Sequence, residues 1–355
     1  MRQLTVLNVA YPLAPTGPDA VGGSEQILTA LDRALVAEGH TSIVLAMEGS
    51  QAEGELVTYS APRPDQPISE EVCSAQRRKV ARAMARVLRT RAVDVIHMHG
   101  LDFHFYLPPP GLPVLATLHL PPDWYPERVW ECTRPNTWLN CVSQDQVDHT
   151  WPNHRMLPPI PNGVPVDLLG AIRPRKCGYA LMLARVCPEK GLHLGLRAAH
   201  AAGSPLLIGG EIFPYPVHRD YFGNEVKPLL DRQRRYLGPL GFPRKRRLLA
   251  GARCLLVPSL VPETSSLVAM EAAACGTPVI AFANGALPEV VEHGRTGFIV
   301  EDEKAMAEAI GRVGEIDPEV CRQVARERFT LGRMTAAYLA RYQQLAGQSV
   351  VTQAA

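Results

Sequence analysis

The chain has no uninterrupted apolar stretch of about 18 residues, the length a membrane-spanning helix requires, so no span is expected. It has no C-x-x-C pair either. Its eight cysteines, at 73, 132, 141, 177, 187, 254, 275 and 321, are scattered. That pattern suits reduced thiols rather than a disulfide framework. Net charge is small: a formal value of +2 does not point to a nucleic-acid partner. The opening MRQLTVLNVAYP lacks the long apolar core and small-residue cleavage site of a signal peptide. Together these absences predict a cytoplasmic protein.

What is present is room for about two domains in 355 residues, with ordinary globular proportions of 46% hydrophobic and 20% charged residues. The first half alternates strand and helix signals. LTVLNVAY (Leu4 to Tyr11) reads as a buried strand. After a Pro/Gly-rich loop, Ile27, Leu28, Leu31 and Leu35 recur at helical spacing, with Ser24 as the expected N-cap and Gly39 as the stop. TSIVLA, VDVIHMH, LPVLATLH and TWLNCVS are further strands, and a basic helix is expected over about Glu70 to Arg91. Near-continuous Val/Ile/Leu in the strands argues for a parallel sheet covered on both faces. LPPIPNGVPVDLL (Leu157 to Leu169) breaks the pattern with prolines and the turn Asn162-Gly163, and reads as the passage between domains. The second half repeats the cycle through YALMLARV, SPLLIGG, RCLLVPS and TPVIAF, and closes on a helix with Met334, Tyr338, Tyr342 and Leu345 on one stripe. The expected division is 1–165, 166–330, a helix over 331–347 crossing back towards the first domain, and a disordered tail over 348–355.

The chemistry concentrates in PETSSLVAMEAAACGTPVI (Pro262 to Ile280), which places Glu263 before an apolar helix and Glu271 inside it. Carboxylates in apolar surroundings need partners. Thr264 or Ser265 is the expected cap. The amides of Ser265, Ser266 and Leu267 then form a helix N-terminus that favours an anion, particularly a phosphate. Glu271 lies about 7.5 Å further along the axis than Ser266, within reach of a ribose attached to that phosphate. The competing reading makes Glu263 a surface residue and pairs Glu271 with a base.

Other features favour a ligand. VGGSEQ (Val21 to Gln26) pairs Gly22 and Gly23 before a helix, so backbone can approach a bound group. LARVCPEKG puts Arg185 at a strand end and Lys190 at a helix start, where a cation opposes the dipole unless an anion is bound. His119 ends the strand VLATLH, and His99 is a weaker version of the same arrangement. Such a histidine can contact a sugar hydroxyl or carry a proton, although a purely structural role competes. The basic stretches AQRRKVARAMARVLRTRA and PRKRRLLAGA read as solvated helix faces; membrane-surface contact is not the expectation. Cys132, Cys141, His149 and His154 share a segment but fit no usual zinc spacing, so no metal site is expected.

VGGSEQ, LARVCPEKG, PETSSLVAMEAAACGTPVIAF and GALPEVVEHGRTGFIV, in this order, resemble the retaining glycosyltransferases of the GT-B fold, family 4. Glu263 and Glu271 match that family's E-x7-E motif. The resemblance implies two doubly wound Rossmann-like domains facing a central cleft, the first binding the acceptor and the second the donor. They would close through the Asn162-Gly163 region. It implies hexosyl transfer from a nucleotide sugar, UDP by default, to a small-molecule, glycan or lipid-linked acceptor. Gly22 and Gly23 would approach the donor diphosphate, His119 would touch the donor sugar, and Arg185 and Lys190 would stabilise the leaving diphosphate. Glu263 would bind sugar hydroxyls, the amides of Ser266 and Leu267 the distal phosphate, Glu271 the ribose, and backbone near Gly238 to Leu240 the base, with Ser265 among the donor-binding residues. Neither cofactor nor metal is implied, and the chain has no D-x-D motif. Many members have Pro-Phe-Gly after the first glutamate where this chain has Thr264, Ser265 and Ser266, a departure that touches the sugar pocket. A nucleotide-sugar epimerase on the same fold, or a non-catalytic nucleotide-sugar-binding protein, are the rival readings. The segment Glu211 to Leu230 is longer than a minimal connection.

Overall fold

The computed structural model describes residues 2–353 except 19, 21, 64, 65 and 152. Val21 of the glycine motif and the last two tail residues therefore lie outside the described residues. The chain forms two compact units, residues 1–161 with 332–355, and residues 162–331.

Among the described residues, the first unit holds seven parallel strands: β1 Thr5–Val9, β2 Thr41–Met47, β3 Glu55–Tyr59, β4 Val95–Met98, β5 Val114–Thr117, β6 Thr137–Asn140 and β7 Met156–Leu157. Their order is β3-β2-β1-β4-β5-β6-β7. The strand order reverses between the parallel neighbours β1 and β4, where Leu7 sits opposite Ile96. Loops at the carboxyl end of such a reversal form the natural ligand crevice of a doubly wound sheet. β1, β2, β4 and β5 are almost wholly buried because helices cover both faces. One of these, Glu70–Thr90, buries Val80, Met84 and Val87 and is capped by the Ser69 hydroxyl accepting from Val72 N. The helix Gly23–Ala37 differs from expectation at its start. Gly22 is the N-cap, and the Ser24 hydroxyl donates instead to Glu25 Oε2 at 3.0 Å.

The second unit has six parallel strands, β8 Ala180–Leu183, β9 Leu206–Gly209, β10 Arg234–Tyr236, β11 Cys254–Val257, β12 Val279–Phe282 and β13 Gly297–Val300, in the order β10-β9-β8-β11-β12-β13. Its reversal falls between β8 and β11. The segments that join the units pair with each other: Val164 N donates to Phe329 O at 2.8 Å and Leu331 N to Val164 O at 3.2 Å.

The last helix, Leu331–Gln353, belongs to the first unit from Gly332 onward. Met334, Tyr338, Tyr342 and Leu345 are all buried. Tyr342 hydroxyl meets His97 Nδ1 at 2.7 Å, and Tyr338 hydroxyl meets Thr117 Oγ1 at 3.2 Å and accepts from Asn140 Nδ2 at 3.3 Å. The helix is thus pinned to β4, β5 and β6.

Candidate active site

At the reversal of the second sheet, the loops after β8 and β11 are tied together. Leu260 N donates to Glu189 O at 2.8 Å. Gly191 adopts φ +60°, and a Cβ there would stand 2.1 Å from Pro258 O, so only glycine lets the two loops approach this closely. The tie delivers Lys190 to Glu263, with Nζ 2.5 Å from Oε1. The Ser259 hydroxyl donates to the same oxygen. The side chains of Lys190 and Glu263 are 21% and 13% exposed, so Glu263 is not the surface residue of the competing reading. Burial pushes its carboxyl up, but Lys190, Ser259 and the charge of Arg185 outweigh this and hold it below the usual range. Glu263 is a carboxylate at neutral pH. Its backbone is held by Ala286 N, which donates to Glu263 O at 2.7 Å.

Arg185 is exposed, and among the described residues its guanidinium has no hydrogen-bond or salt-bridge partner. It is a cation free to meet a ligand.

The helix after Glu263 is Leu267–Ala274. Its cap is neither Thr264 nor Ser265. Ser266 takes that place in the left-handed conformation, φ 54° and ψ 69°, with no side-chain cap bond. A residue whose side chain caps the first-turn amides is ordinarily extended, and Ser266 is not. The hydroxyls of Ser265 and Ser266 are both buried and have no partner among the described residues. Buried polar groups normally find partners, so this pair is unusual.

Glu271, only 4% exposed, is paired with Lys245 Nζ at 2.6 Å. Lys245 lies in the first turn of the helix Phe242–Gly251, within the stretch expected to be a solvated face. Sequence reasoning missed it. No sequence signal singles it out from the neighbouring Arg244, Arg246 and Arg247.

In the first unit, the predicted residues follow the carboxyl ends of β1, β4 and β5. Gly22 is crowded by its own chain: a Cβ there would stand 1.9 Å from Glu25 Oε2. A carboxylate, not open space, lies beside this glycine. Gly23 opens the helix. His119 Nε2 is 3.1 Å from His99 Nδ1, and the two rings stack at 5.4 Å. Burial pushes His119 down to about 4, so its ring is neutral at neutral pH.

A second group went unnoticed in the sequence. Ligand-type atoms of Cys187, Glu189 and His218 lie within 4.8 Å of one another. No metal site was expected, and 187, 189 and 218 follow none of the usual spacings.

Comparison with known proteins agrees with this architecture. A model described as Glycosyltransferase Family 4 matches residues 21–168, and one described as Glycosyl transferases group 1 matches residues 178–315. A D-inositol 3-phosphate glycosyltransferase of Saccharomonospora viridis is 33% identical over 198 residues, covering 51% of this chain and 44% of the relative. The chain spans less than half the length of the curated relatives it matches. In fold, it resembles sucrose-phosphate synthase from Thermosynechococcus elongatus, with a TM-score of 0.76 and 20% identity over 98% of this chain and 100% of that one. It also resembles Anabaena HepE in complex with UDP and glucose, with a TM-score of 0.73 and 17% identity over 96% and 100% of the two chains. With one family model over each of its two doubly wound units, the chain belongs to the family 4 glycosyltransferases of the GT-B fold.

Proposed function

We propose that the chain is a retaining glycosyltransferase that moves a sugar from a nucleotide-sugar donor to an acceptor hydroxyl without using a metal ion for the transfer. The observation that carries this reading is the Lys190–Glu263 pair beside the unpartnered Arg185, next to a helix N-terminus with two unpartnered buried serine hydroxyls. Hydroxyls and amides without partners suit the oxygens of a phosphate. Arg185 and Lys190 would neutralise charge growing on the departing diphosphate. Glu263, a carboxylate, would accept from donor-sugar hydroxyls, and Glu271 from the ribose. His119, a neutral ring, would hydrogen-bond the donor sugar. In the transfer step, the acceptor oxygen bonds to the anomeric carbon as the bond from that carbon to the diphosphate breaks on the same face. The acceptor proton passes to the departing phosphate. UDP is the first nucleotide to try, in keeping with the HepE complex.

Thermal melting with UDP, GDP, ADP and TDP, each with and without EDTA, tests the donor site. A nucleotide at 100 times its Kd stabilises by about 2.7 kcal/mol. One of them should raise the melting point in the presence of EDTA, and Glu271→Ala should abolish the rise. In transfer assays, Arg185→Ala should lower the rate about 10²- to 10³-fold with an unchanged unfolding midpoint. If neither the nucleotides nor intact nucleotide sugars stabilise the protein, the reading fails. A trapped glycosyl-enzyme on Glu263 would overturn the same-face step.

A further inference from the structure

We infer that Cys187, Glu189 and His218 form a binding site for a zinc-class divalent cation, one that fastens the long segment after β9 to the loop carrying Arg185 and Lys190. The topology brings the three together. β8 and β9 are parallel neighbours, so their carboxyl-end loops leave the same edge side by side. Ala184 N donates to Gly209 O at 3.1 Å and Val186 N to Glu211 O at 2.9 Å, which continues the pairing beyond the strands. Cys187 and Glu189 lie on the first loop. His218 lies on the short helix Pro216–Tyr221 of the second. That helix is anchored by the buried Tyr221, whose hydroxyl accepts from His193 N at 3.2 Å.

The donor set is a thiol, a carboxylate and an imidazole, with all three ligand atoms within 4.8 Å of one another. Small side-chain rotations would bring them around one ion. Cys187 is 1% exposed and His218 is 8% exposed. His218 Nδ1 and Glu189 Oε2 are buried and have no partner among the described residues. Two unpartnered polar atoms beside a buried thiol are costly as they stand, and a cation would satisfy them. Mixed sulfur, nitrogen and oxygen donors select zinc over magnesium or calcium, and three protein ligands leave a fourth position for water. Charge balances: a thiolate and a carboxylate offset the dication, and the thiol proton leaves to solvent on binding. The rings of Tyr215 and Phe213, 5.1 Å and 6.4 Å from the His218 ring, supply an apolar shell. None of its three ligands is a residue given a role in the transfer step.

Cobalt(II) serves as a visible probe. The purified full chain, stripped with a chelator, is titrated with Co²⁺. The expected result is a thiolate-to-cobalt charge-transfer band that saturates at one equivalent and is displaced by Zn²⁺. Cys187→Ala should abolish the band. His218→Gln should weaken affinity at least about 10- to 100-fold, the loss that supporting residues alone produce. Cys177→Ser, which removes an exposed thiol, should leave the band intact. Circular dichroism checks that each variant is folded, and His218→Gln gives an independent reading should Cys187→Ala not fold. Absence of the band in the wild type, its survival in folded Cys187→Ala, or unchanged affinity in His218→Gln would overturn the site. No donor or acceptor is present in this experiment, so its outcome is independent of the transfer reading.

Discussion

Each of the two glutamates eight positions apart has its own lysine. Lys190 reaches Glu263 across the tied loops, and Lys245 reaches Glu271 from the neighbouring helix. The second pair is the more deeply buried, and it makes a prediction. Lys245→Met leaves Glu271 without its cation and should cost about 3–5 kcal/mol in urea unfolding. Adding Glu271→Leu should recover most of that loss, because the buried uncompensated charge is then gone. A change below about 1 kcal/mol in the single variant would mean that the pair behaves like a surface contact. Lys190 was legible in the sequence because a lone cation at a helix start signals a missing anion. Lys245 was hidden among Arg244, Arg246 and Arg247. Which of four adjacent cations turns inward depends on the helical phase and on a partner 26 residues away.

At the scale of elements, the buried strands announced themselves through continuous apolar runs, and the strands with mixed sequences did not. β3, β7 and β10 escaped the sequence reading, and all three are sheet edges. An edge strand has one neighbour and more contact with water, so ELVTY and RRY carry no continuous apolar signal. The last helix was legible through its 3.6-residue stripe, but its polar docking was not. Tyr342 and His97 are 245 positions apart and meet in a fully buried hydrogen bond. Tyr342→Phe removes one partner and leaves a buried imidazole nitrogen unsatisfied. Urea unfolding should show a loss of about 1–3 kcal/mol. No loss would mean that water reaches His97 when the hydroxyl is gone.

At the scale of the whole molecule, the first unit stores an acid sensitivity. His97 and His99 are pushed well below the ordinary range by burial first and then by neighbouring imidazoles, and burial takes His119 to about 4. Between the unfolded value of about 6.5 and the folded values, the unfolded chain binds more protons than the native one. Stability should therefore fall as pH falls through that window and be insensitive to these groups above it. Melting temperatures followed from about pH 7 to about pH 5 should decline, and the decline should be shallower in His99→Gln. A flat profile, or the same slope in the variant, would remove the histidines as the cause. The two α/β cycles and the break after Leu157 were legible because they depend on local periodicity and on Asn162-Gly163. Residues from 332 onward group with the first unit, towards which the last helix was expected to cross back, and that membership is a matter of what the helix packs against rather than of local periodicity.

The sequence by itself determined the parallel sheets, the reversal loops that carry Arg185, Lys190 and Glu263, and the family. Each of these depends on short-range patterns: strand runs, helix starts and turn residues. Only the tertiary structure decided the partners, including Lys245 for Glu271, His97 for Tyr342, the left-handed Ser266 cap and the grouping of Cys187 and Glu189 with His218. The physical reason is that a buried polar atom is satisfied by whichever group the fold brings within about 3 Å, and that group can come from anywhere in the chain.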